Sequence, residues 1–430
     1  MKPKVLLVNP PIYDFAAYDF WLKPHGILGV GGQLRSIADL RLFDYMDRLC
    51  PDFDPAIRKK IDSFGTGPYP FRKIPNPAVL KDIPRYFRRF GLPRHIFKEF
   101  LTNNPSFDIV LIQTVMTYWY LGYKEVIEDI RHYSPQAKIV LGGFYATACP
   151  EHAKTLGADA VISGDDLSSL WQLIGQTPPT ESHLPAWELY PKLSTATMTL
   201  TRGCPFQCSY CYVPQSGIGF QARPLDECLA ELDQLINLGV KNIAFYDDAL
   251  LFQAEKILLP FMKSAIDKKL NINFHTPNAL HARYITPDIA KMMVTAGTKT
   301  FHLGFESRSE AFQDRTGSKV VSDDLATAVE YLRSAGAEPQ HIIAYEILGH
   351  PLMNLQQLES SMQLANSLGI RVMLSDFSPI PGTPDGELCR NYTDLDEPLN
   401  HNKTAFPVRF LGFNKVNYYK DLCRKLNRSV

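Results

Sequence analysis

The chain has 430 residues, of which 45% are hydrophobic and 21% are charged, and its 45 basic side chains balance its 45 acidic ones. This length exceeds what one ordinary hydrophobic core organises, so we expect two domains, and the composition excludes an intrinsically disordered protein. The zero net charge provides no overall field to hold nucleic acid or an anionic membrane. We interpret the local basic residues Arg85, Arg88, Arg89 and Arg94 as a solvated helix face.

No apolar run reaches the roughly 20 residues that a helix needs to cross a bilayer. The apolar run that follows Pro3 is too short for the core of a signal peptide and is typical of a first strand. We therefore expect a cytoplasmic protein with no membrane span and no nucleic-acid partner. The eight cysteines, in a chain without a secretion signal, favour thiol or metal chemistry over disulfides.

Strand and helix signals alternate in the first part of the chain. Lys4–Asn9 is an apolar run typical of a buried parallel strand, and a glycine-rich amphipathic stretch follows it. The later signals are a strand at 108–113, a helix at 122–133, a strand at 138–143, a helix near 151–156 and a strand at 159–162. This alternation predicts a doubly wound, Rossmann-like parallel sheet in a domain of residues 1–175, interrupted by an irregular or helical insertion at about 51–104.

A Pro-, Thr- and Ser-rich linker is predicted at 176–195, and strand–helix alternation restarts after it. The candidate strands are 197–201, 242–246, 271–275, 300–304, 341–348 and 371–377, with helical patterns between them. Six strand–helix units do not close an eight-unit barrel, so we predict a partial (βα)6 barrel over residues 196–395. Residues 396–430 remain as a C-terminal tail, which contains no CxxC motif.

Three cysteines follow the first strand of this predicted barrel. Cys204, Cys208 and Cys211 lie within eight residues in the spacing CxxxCxxC, on a loop at the carboxyl end of the sheet. Sites assemble at that end of parallel α/β folds, and soft thiolates select iron–sulfur clusters or zinc. Three ligands leave one iron of a [4Fe-4S] cluster without a protein ligand, which is the open position that chemistry on a substrate requires.

Two other metal sites remain open as alternatives. Structural zinc requires a closed shell of four ligands, commonly from paired CxxC knuckles, and the other five cysteines form no second knuckle. A ferredoxin-type cluster requires four cysteines in a different spacing. A zinc-stabilised binding protein would be colourless, whereas a [4Fe-4S] protein would be brown and sensitive to oxygen.

The CxxxCxxC motif with its aromatic neighbours resembles the signature of radical S-adenosylmethionine (radical SAM) enzymes, and the resemblance covers about residues 195–390. It implies that the open iron chelates the amino and carboxylate groups of SAM. One electron then cleaves the sulfonium to methionine and a 5′-deoxyadenosyl radical, which abstracts hydrogen from a substrate. It further implies SAM contacts from Tyr210, Asp247, Asp248, Glu306 and Ser307, the last two within a Gly-x-Glu-Ser element.

Two segments that resemble the family also have a simpler interpretation. Asp247 and Asp248 at a strand end could accept hydrogen bonds from an ammonium group, or could cap the following helix. The Pro-Gly-Thr-Pro sequence ending at Pro384 resembles a turn of the same family, or is simply a tight turn. One segment departs from the family: Gly349-His-Pro-Leu-Met-Asn354 replaces the usual Gly-x-Pro-Gly-Glu-Thr, which leaves the contacts of that loop open.

The first domain resembles the cobalamin-binding-type domain that precedes the barrel in a large radical SAM subgroup. The resemblance implies cobalamin contacts from Thr114, Gly142, Gly143 and Gly164, because glycine just beyond a parallel strand permits close approach of a planar ligand. There is no Asp-x-His-x-x-Gly motif to supply a lower histidine ligand, and we interpret His25 as a loop or packing residue. A domain that keeps the fold without the cofactor remains an alternative.

The resemblance therefore predicts a cobalamin-dependent methyltransferase acting on an unactivated carbon. A small-molecule or peptide substrate and an electron donor such as flavodoxin or ferredoxin are the implied partners. The alternatives are a cobalamin-independent radical rearrangement, cyclisation or oxidation, and, in another class, a non-catalytic corrinoid or redox sensor. The carboxylates at the barrel strand ends argue against a sensor, since a sensor needs no SAM pocket.

Overall fold

The structure is a computed structural model that describes residues 2–54, 61–104, 106–179, 183–317, 320 and 322–430. Residues 55–60 of the predicted insertion and 180–182 of the predicted linker lie outside the described residues. The chain divides into two compact units. Unit 1 comprises Met1–Ser194, Ala230–Gly239 and Asp396–Asn402, and unit 2 comprises Thr195–Leu229, Val240–Leu395 and Lys403–Val430.

Unit 1 contains a five-stranded parallel sheet. The strands of the whole unit are β1 (Lys4–Asn9), β2 (Ile12–Asp14), β3 (Tyr18–Asp19), β4 (Asp39–Asp44), β5 (Gly67–Pro68), β6 (Phe71–Ile74), β7 (Phe87–Phe90), β8 (Ile109–Thr114), β9 (Lys138–Gly143) and β10 (Ala160–Ile162). Its helices are α1 (His25–Leu34), α2 (Arg94–Asn103), α3 (Tyr120–Tyr133), α4 (Phe144–Ala148), α5 (Pro150–Lys154) and α6 (Ser168–Ile174). The parallel sheet has the order β10-β9-β8-β1-β4. This order confirms the predicted Rossmann-like fold.

The central strand β1 shows why the sequence folds in this way. Val5, Leu6, Leu7 and Val8 are fully buried, two on each face, because helices cover both sides of a parallel sheet. The strand order reverses between β1 and β8, so the loops after these strands diverge to opposite faces. Such a switch point leaves a crevice at the carboxyl ends of the strands, where ligands of doubly wound folds bind.

The insertion contains strands that the sequence analysis did not predict. β6 and β7 pair antiparallel and β2 joins them in a three-stranded sheet, while β5 pairs with β3. The interpretation of the basic residues as a solvated helix face is wrong for Arg85, which lies in a bend, and for Arg88 and Arg89, which lie on β7. Arg89 is only 5% exposed. Its guanidinium donates hydrogen bonds to both carboxylate oxygens of Glu125, and this bidentate ion pair is what permits its burial.

Unit 2 is built on six parallel strands in chain order, β11-β14-β15-β16-β17-β18, which confirms the predicted partial barrel. Its strands are β11 (Thr195–Met198), β12 (Thr201–Arg202), β13 (Gln221–Ala222), β14 (Asn242–Phe245), β15 (Asn273–His281), β16 (Thr298–Glu306), β17 (Ile342–Leu348) and β18 (Arg371–Asp376). Its helices are α7 (Leu225–Asn237, whose residues are divided between the units), α8 (Leu258–Asp267), α9 (Pro287–Thr295), α10 (Glu310–Thr316), α11 (Ser322–Ser334), α12 (Leu355–Ser367), α13 (Pro384–Leu388), α14 (Ala405–Leu411) and α15 (Phe413–Leu426).

The barrel helices follow from the spacing of apolar residues. In α8, Leu258, Phe261, Met262 and Ala265 are buried at the i, i+3, i+4, i+7 spacing of one helical face. Helix α9 begins where the Thr286 hydroxyl accepts the backbone N–H of Ile289, with proline in its first turn.

The predicted C-terminal tail is largely helical. Cys423 and Asn427, at the end of the last helix, bind the backbone of Val372 on the edge strand β18. The Asn427 amide both donates to the Val372 carbonyl and accepts the Val372 N–H, at 2.8 Å each. The tail therefore satisfies backbone groups that an open sheet edge would otherwise expose. Within the described ranges, we find no helix with the length and apolar content that a membrane crossing requires.

Candidate functional site

The three predicted ligands lie on one loop at the mouth of the barrel in unit 2. Strands β12 and β13 pair antiparallel and join the two ends of this loop, residues 203–220. Gly203 permits the join: its φ is +69°, and a Cβ atom there would lie 2.5 Å from the carbonyl oxygen of Gly219. Within the loop, the Cys211 N–H donates to the Cys208 carbonyl at 3.0 Å, so the last two cysteines share one turn.

The loop forms one wall of a cavity of about 150 Å³. Its polar and sulfur-bearing lining consists of Cys204, Cys208, Tyr210, Cys211, Asp247, Asp248, Asn278 and His281. The structure thus brings together the three cysteines and three of the five residues predicted to contact SAM. Glu306 and Ser307 are not among the lining residues.

None of the three cysteines forms a disulfide, and Cys208 is buried. Burial raises the pKa of Cys211 to about 11, and the nearby charges of Cys208, Asp248 and Cys204 act in the same direction. A thiol of this kind is not a free thiolate at neutral pH, so a bound cation would be needed to hold it deprotonated. No three His, Cys, Asp or Glu side chains of the described residues are already arranged as a metal site, so the ligand assignment stays a prediction.

The donor set nevertheless fits an iron–sulfur cluster better than a hard cation. Three soft sulfur atoms come from one short loop and line the same cavity. The carboxylates that share the cavity come from a different strand end, beyond β14.

Asp247 is buried just beyond the end of β14. Its Oδ1 accepts three hydrogen bonds, from the backbone N–H groups of Leu200 and Thr201 and from the Thr201 hydroxyl. Its Oδ2 is buried, and no described residue provides a hydrogen bond to it. Burial raises the pKa of Asp247 to about 6, while the bonds from Thr201 and Leu200 oppose the shift. Asp247 therefore offers a fixed acceptor for a cationic group, whereas Asp248 beside it is exposed.

Asn278 was missed by the sequence analysis, which ended the third barrel strand at residue 275. The strand continues to His281, with a change of register between Thr276 and Leu280 that leaves residues 277–279 bulged out of the ladder. The bulge directs Asn278 to the cavity, and its amide donates to the backbone carbonyls of Tyr246 and Asp247 at 3.0 and 3.3 Å. Asn278 thus fixes the turn that presents Asp247.

Tyr210, within the cysteine loop, lies close to Glu306. Burial raises the pKa of the Tyr210 phenol, and the charges of Glu306 and Cys208 raise it further. Glu306 ends β16 with a φ of +62°, beside a change of register against β17. A non-glycine residue in this left-handed conformation is uncommon, and such strain concentrates at functional sites.

Ser307 and the buried Gln313 organise the turn that carries Glu306. The Ser307 hydroxyl accepts the N–H of Ser309 at 3.1 Å, and the Gln313 amide donates to the carbonyls of Phe305 and Ser307 at 2.6 and 2.8 Å. Gln313 was not predicted, because a glutamine in a short helix gives no sequence signal of this role. Contact of Ser307 with SAM remains a prediction.

An aromatic cluster covers the side of the loop near Cys204. The Phe206 ring contacts His281 at 4.7 Å, Tyr284 at 5.9 Å and Phe252 at 5.9 Å between ring centroids. Phe252 in turn packs edge-on against Phe220 at 4.9 Å. These rings give the cavity an apolar wall that restricts water beside the thiols.

The residues predicted to contact cobalamin lie at the carboxyl edge of the unit 1 sheet, and they differ in what surrounds them. The Thr114 hydroxyl donates to the Gly142 carbonyl at 3.0 Å and accepts the Ala146 N–H at 3.1 Å, so its hydrogen-bonding capacity is used locally. Gly143 has a φ of +109°, and a Cβ atom there would lie 2.3 Å from the Thr114 carbonyl oxygen. Added Cβ atoms at Gly142 and Gly164 would instead meet open space.

A second, small cavity lies at the switch point of the same sheet, with room for about one water molecule. Its lining includes Asn9, Lys23, Tyr69, Gln113 and Trp119. His25, just beyond it, has its Nε2 atom 3.0 Å from Glu231 and its ring against Trp187. These contacts support the interpretation of His25 as a packing residue.

Comparison with known proteins finds relatives of the barrel region and of the whole fold. The Radical SAM superfamily matches residues 198–365. The tRNA-2-methylthio-N(6)-dimethylallyladenosine synthase of Sodalis glossinidius is 24% identical over 337 residues, which are 69% of this chain and 69% of that protein. The threonylcarbamoyladenosine tRNA methylthiotransferase MtaB of Thermotoga maritima is 25% identical over 284 residues, 61% of this chain and 64% of that protein.

Two solved structures share the fold over nearly the whole chain. One is the radical SAM methyltransferase TsrM from Kitasatospora setae with cobalamin and a [4Fe-4S] cluster bound, with a TM-score of 0.63 at 14% identity over 94% of this chain and 85% of that chain. The other is the cobalamin-dependent SAM radical enzyme OxsB, with a TM-score of 0.56 at 13% identity over 99% of this chain and 61% of that chain. At these identities the likeness concerns the fold.

Proposed function

We propose that this chain, a radical SAM enzyme with an N-terminal Rossmann-like domain, cleaves SAM reductively to a 5′-deoxyadenosyl radical and uses cobalamin to methylate an unactivated carbon. The observation that carries the proposal is the cavity of unit 2, which places three thiols beside a buried carboxylate oxygen with no hydrogen bond from the described residues. That combination suits a cluster with one open iron and a cationic amino group next to it.

Cys204, Cys208 and Cys211 would hold the [4Fe-4S] cluster, which when bound supplies the electron for cleavage of the SAM carbon–sulfur bond. Asp247 would accept a hydrogen bond from the SAM ammonium through Oδ2, since its other oxygen already accepts hydrogen bonds from Leu200 and Thr201. Asp248 would contribute from the exposed side. The aromatic wall around Phe206 would limit water beside the site while reactive species exist.

Tyr210, Glu306 and Ser307 would complete the SAM contacts. The Glu306 carboxylate is buried at the end of β16, and a strained backbone turn sets its direction. Carboxylates are good acceptors for hydroxyl donors, so a sugar hydroxyl of SAM is the partner that suits it. Tyr210 would act by packing, since its phenol is held protonated by burial.

Cobalamin binding is supported by the fold that unit 1 shares with TsrM and OxsB, together with the open surface at the edge of its own sheet. Gly142 and Gly164 have no side chain and face open space, so a planar ligand could approach the backbone there. Thr114 and Gly143 would shape this edge without binding the ligand directly. The Thr114 hydroxyl is hydrogen-bonded within the unit, and Gly143 packs closely against the Thr114 backbone. Cobalamin, when bound, would supply the methyl carrier.

The direct test is anaerobic reconstitution with iron, sulfide and hydroxocobalamin, followed by SAM and a chemical reductant. We expect a brown protein that retains corrinoid through desalting and forms both 5′-deoxyadenosine and S-adenosylhomocysteine. Formation of neither product would contradict the proposed function. Flavodoxin or ferredoxin can then replace the chemical reductant, and small-molecule and peptide substrates can be screened for methyl transfer from labelled SAM.

A cobalamin-independent radical SAM reaction is the second candidate. Two observations favour it: the cavity at the sheet switch point has room for about one water molecule, and the Thr114 hydroxyl is already hydrogen-bonded within unit 1. This candidate predicts 5′-deoxyadenosine without retained corrinoid and without S-adenosylhomocysteine.

A further inference from the structure

The loop after β17 carries a buried histidine where the sequence departs from the family pattern. His350 is 1% exposed, and its Nε2 atom lies 2.8 Å from Oδ2 of Asp385. Its Nδ1 atom accepts the Leu352 N–H at 3.1 Å, so the ring proton resides on Nε2 and is directed at the carboxylate. The rings of Phe312 and Phe377 pack against the imidazole at 5.0 and 4.6 Å between centroids and fix its plane.

Asp385 connects His350 to the cysteine loop, because it binds both His350 and Ser209. It lies in α13, directly after the Pro-Gly-Thr-Pro turn, where the Thr383 hydroxyl accepts the Gly386 N–H. Its Oδ2 accepts the Ser209 hydroxyl at 2.6 Å, and its N–H donates to the Ser209 carbonyl at 3.1 Å. Two hydrogen bonds of opposite direction therefore hold both the side chain and the backbone of Ser209.

Ser209 directly follows Cys208, and a second element supports the same turn. The Ser209 N–H donates to the carbonyl of Thr316 at 3.3 Å. Gly317 packs directly on the cysteine, since a Cβ atom there would lie 3.2 Å from Cys208 Cα and 3.5 Å from its sulfur. The Cys208–Cys211 turn is thus fixed by α13 and by the end of α10, two segments remote from it in sequence.

We propose that Asp385, itself oriented by His350, is a positioning residue that holds the Cys208–Cys211 turn in the arrangement needed for three sulfur atoms to ligate one cluster. The nature of the ligated group rests on the proposed function, but the ordering of the loop does not. Carboxylates and histidines behind the ligands of a metal site commonly tune ligand orientation in this way. In this proposal, the segment that departs from Gly-x-Pro-Gly-Glu-Thr supplies His350, which orients Asp385.

The loop itself can be tested without any cluster. In the metal-free protein, Ser209→Ala removes the hydroxyl bond, and we expect iodoacetamide to alkylate the buried Cys208 about tenfold faster, because the turn that covers it opens more often. Peptide mapping would quantify alkylation at each cysteine. Ser361→Ala is the matched control, because Ser361 is a buried serine of α12 in the same unit without contact to the loop. Equal rates in wild type and both variants would overturn the proposal.

The second arm uses reconstituted protein and measures how fast an iron chelator removes the cluster, with the electron paramagnetic resonance spectrum of the reduced cluster as a structural readout. We expect loss about 10- to 100-fold faster in Asp385→Ala and His350→Leu, with an altered spectrum. His350→Gln keeps a donor near the Nε2 position and should restore most of the retention. Wild-type rates and spectra in Asp385→Ala would overturn the proposal. If wild type binds no cluster, the proposed function fails, and the alkylation result still decides the role of the loop contacts.

Discussion

The carboxyl ends of the two parallel sheets differ in what their polar groups are bound to. At the barrel mouth of unit 2, Asp247 leaves Oδ2 without a hydrogen bond from the described residues, and three cysteines that form no disulfide line the same cavity. At the edge of unit 1, Asp44 accepts hydrogen bonds from Asn9, Met46 and Tyr190. Thr114 likewise uses its hydroxyl for two local bonds.

This difference suggests two modes of recognition. A buried carboxylate with a raised pKa costs folding free energy, and groups of this kind are concentrated at functional sites. The cavity of unit 2 is therefore suited to bind a charged ligand through specific polar contacts. The edge of the unit 1 sheet, where Asp44 and Thr114 are hydrogen-bonded locally and the backbone at Gly142 faces open space, is suited to recognise a ligand by shape.

The largest expected effect is on the cluster itself. Cys208→Ala removes one of three ligands, and we expect the visible absorption of the reconstituted cluster and the formation of 5′-deoxyadenosine to be lost. Cys423→Ala is the matched control, since Cys423 is also buried in unit 2 but donates its thiol hydrogen to the Val372 carbonyl. If Cys208→Ala retained the cluster, the ligand assignment would be refuted. The cysteines would then no longer distinguish the barrel mouth of unit 2 from the sheet edge of unit 1.

A smaller effect is expected for the buried carboxylate. Asp247→Asn keeps an oxygen for Leu200 and Thr201 but removes the charge, so SAM should bind about 10- to 150-fold more weakly, the usual cost of losing a hydrogen bond to a charged group. Equilibrium dialysis of the reconstituted protein measures this change. Asp248→Asn, on the exposed neighbour, should cost less than about fivefold. The opposite ranking would show that the buried oxygen is not the ammonium partner.

Adjacent glycines sharpen the comparison within unit 1. Gly143→Ala forces a Cβ atom onto the Thr114 carbonyl oxygen at a φ of +109°, so we expect the free energy of unfolding in urea to fall by about 2–3 kcal/mol. Gly142→Ala meets open space and should leave stability within about 0.5 kcal/mol.

Bulkier residues at the open position then test recognition by shape. Gly142→Leu should reduce retention of hydroxocobalamin while the protein stays folded, as judged by circular dichroism. Unchanged retention would place any corrinoid away from this edge of the sheet.

The sequence predicted the two sheets well, because a buried parallel strand is a continuous apolar run that stands out from its surroundings. Val5–Val8 of β1 is such a run, and all six barrel strands lie at or near their predicted positions. The strands of the insertion were missed because they are two to four residues long and include exposed residues such as Phe71, so no periodicity develops.

The site was predictable only where its residues form a local motif. The spacing of Cys204, Cys208 and Cys211 is visible in the sequence. By contrast, Asp385, which binds the Ser209 hydroxyl, is 176 residues away along the chain. Asn278 reaches the cavity through a β-bulge, a register change that depends on pairing between strands and leaves no mark in a single sequence. Long-range hydrogen bonds and bulges are products of the fold, so they follow only from the structure.

The smallest expected effect concerns pH, and it tests whether unit 2 binds by charge. The pKa of Asp247 is raised by burial to about 6, so this carboxyl group is ionised at neutral pH and becomes protonated as the pH falls through that value. Since only the ionised form attracts an ammonium group strongly, SAM affinity should be about fourfold lower near pH 5.5 than at neutral pH. Equilibrium dialysis over this range, with the cluster absorption monitored, measures the change.

Asp247→Asn should flatten that pH dependence, whereas Asp248→Asn should leave its midpoint close to that of the wild type. A profile that stays steep without the Asp247 charge would assign the titration to another group of the cavity, such as Asp248, which faces Asp247 from the same turn. Cobalamin retention by unit 1 should not follow this midpoint, because the edge around Gly142 and Gly164 recognises its ligand through open backbone and not through a titrating side chain. A shared midpoint would therefore break the distinction between recognition by charge in one sheet and by shape in the other.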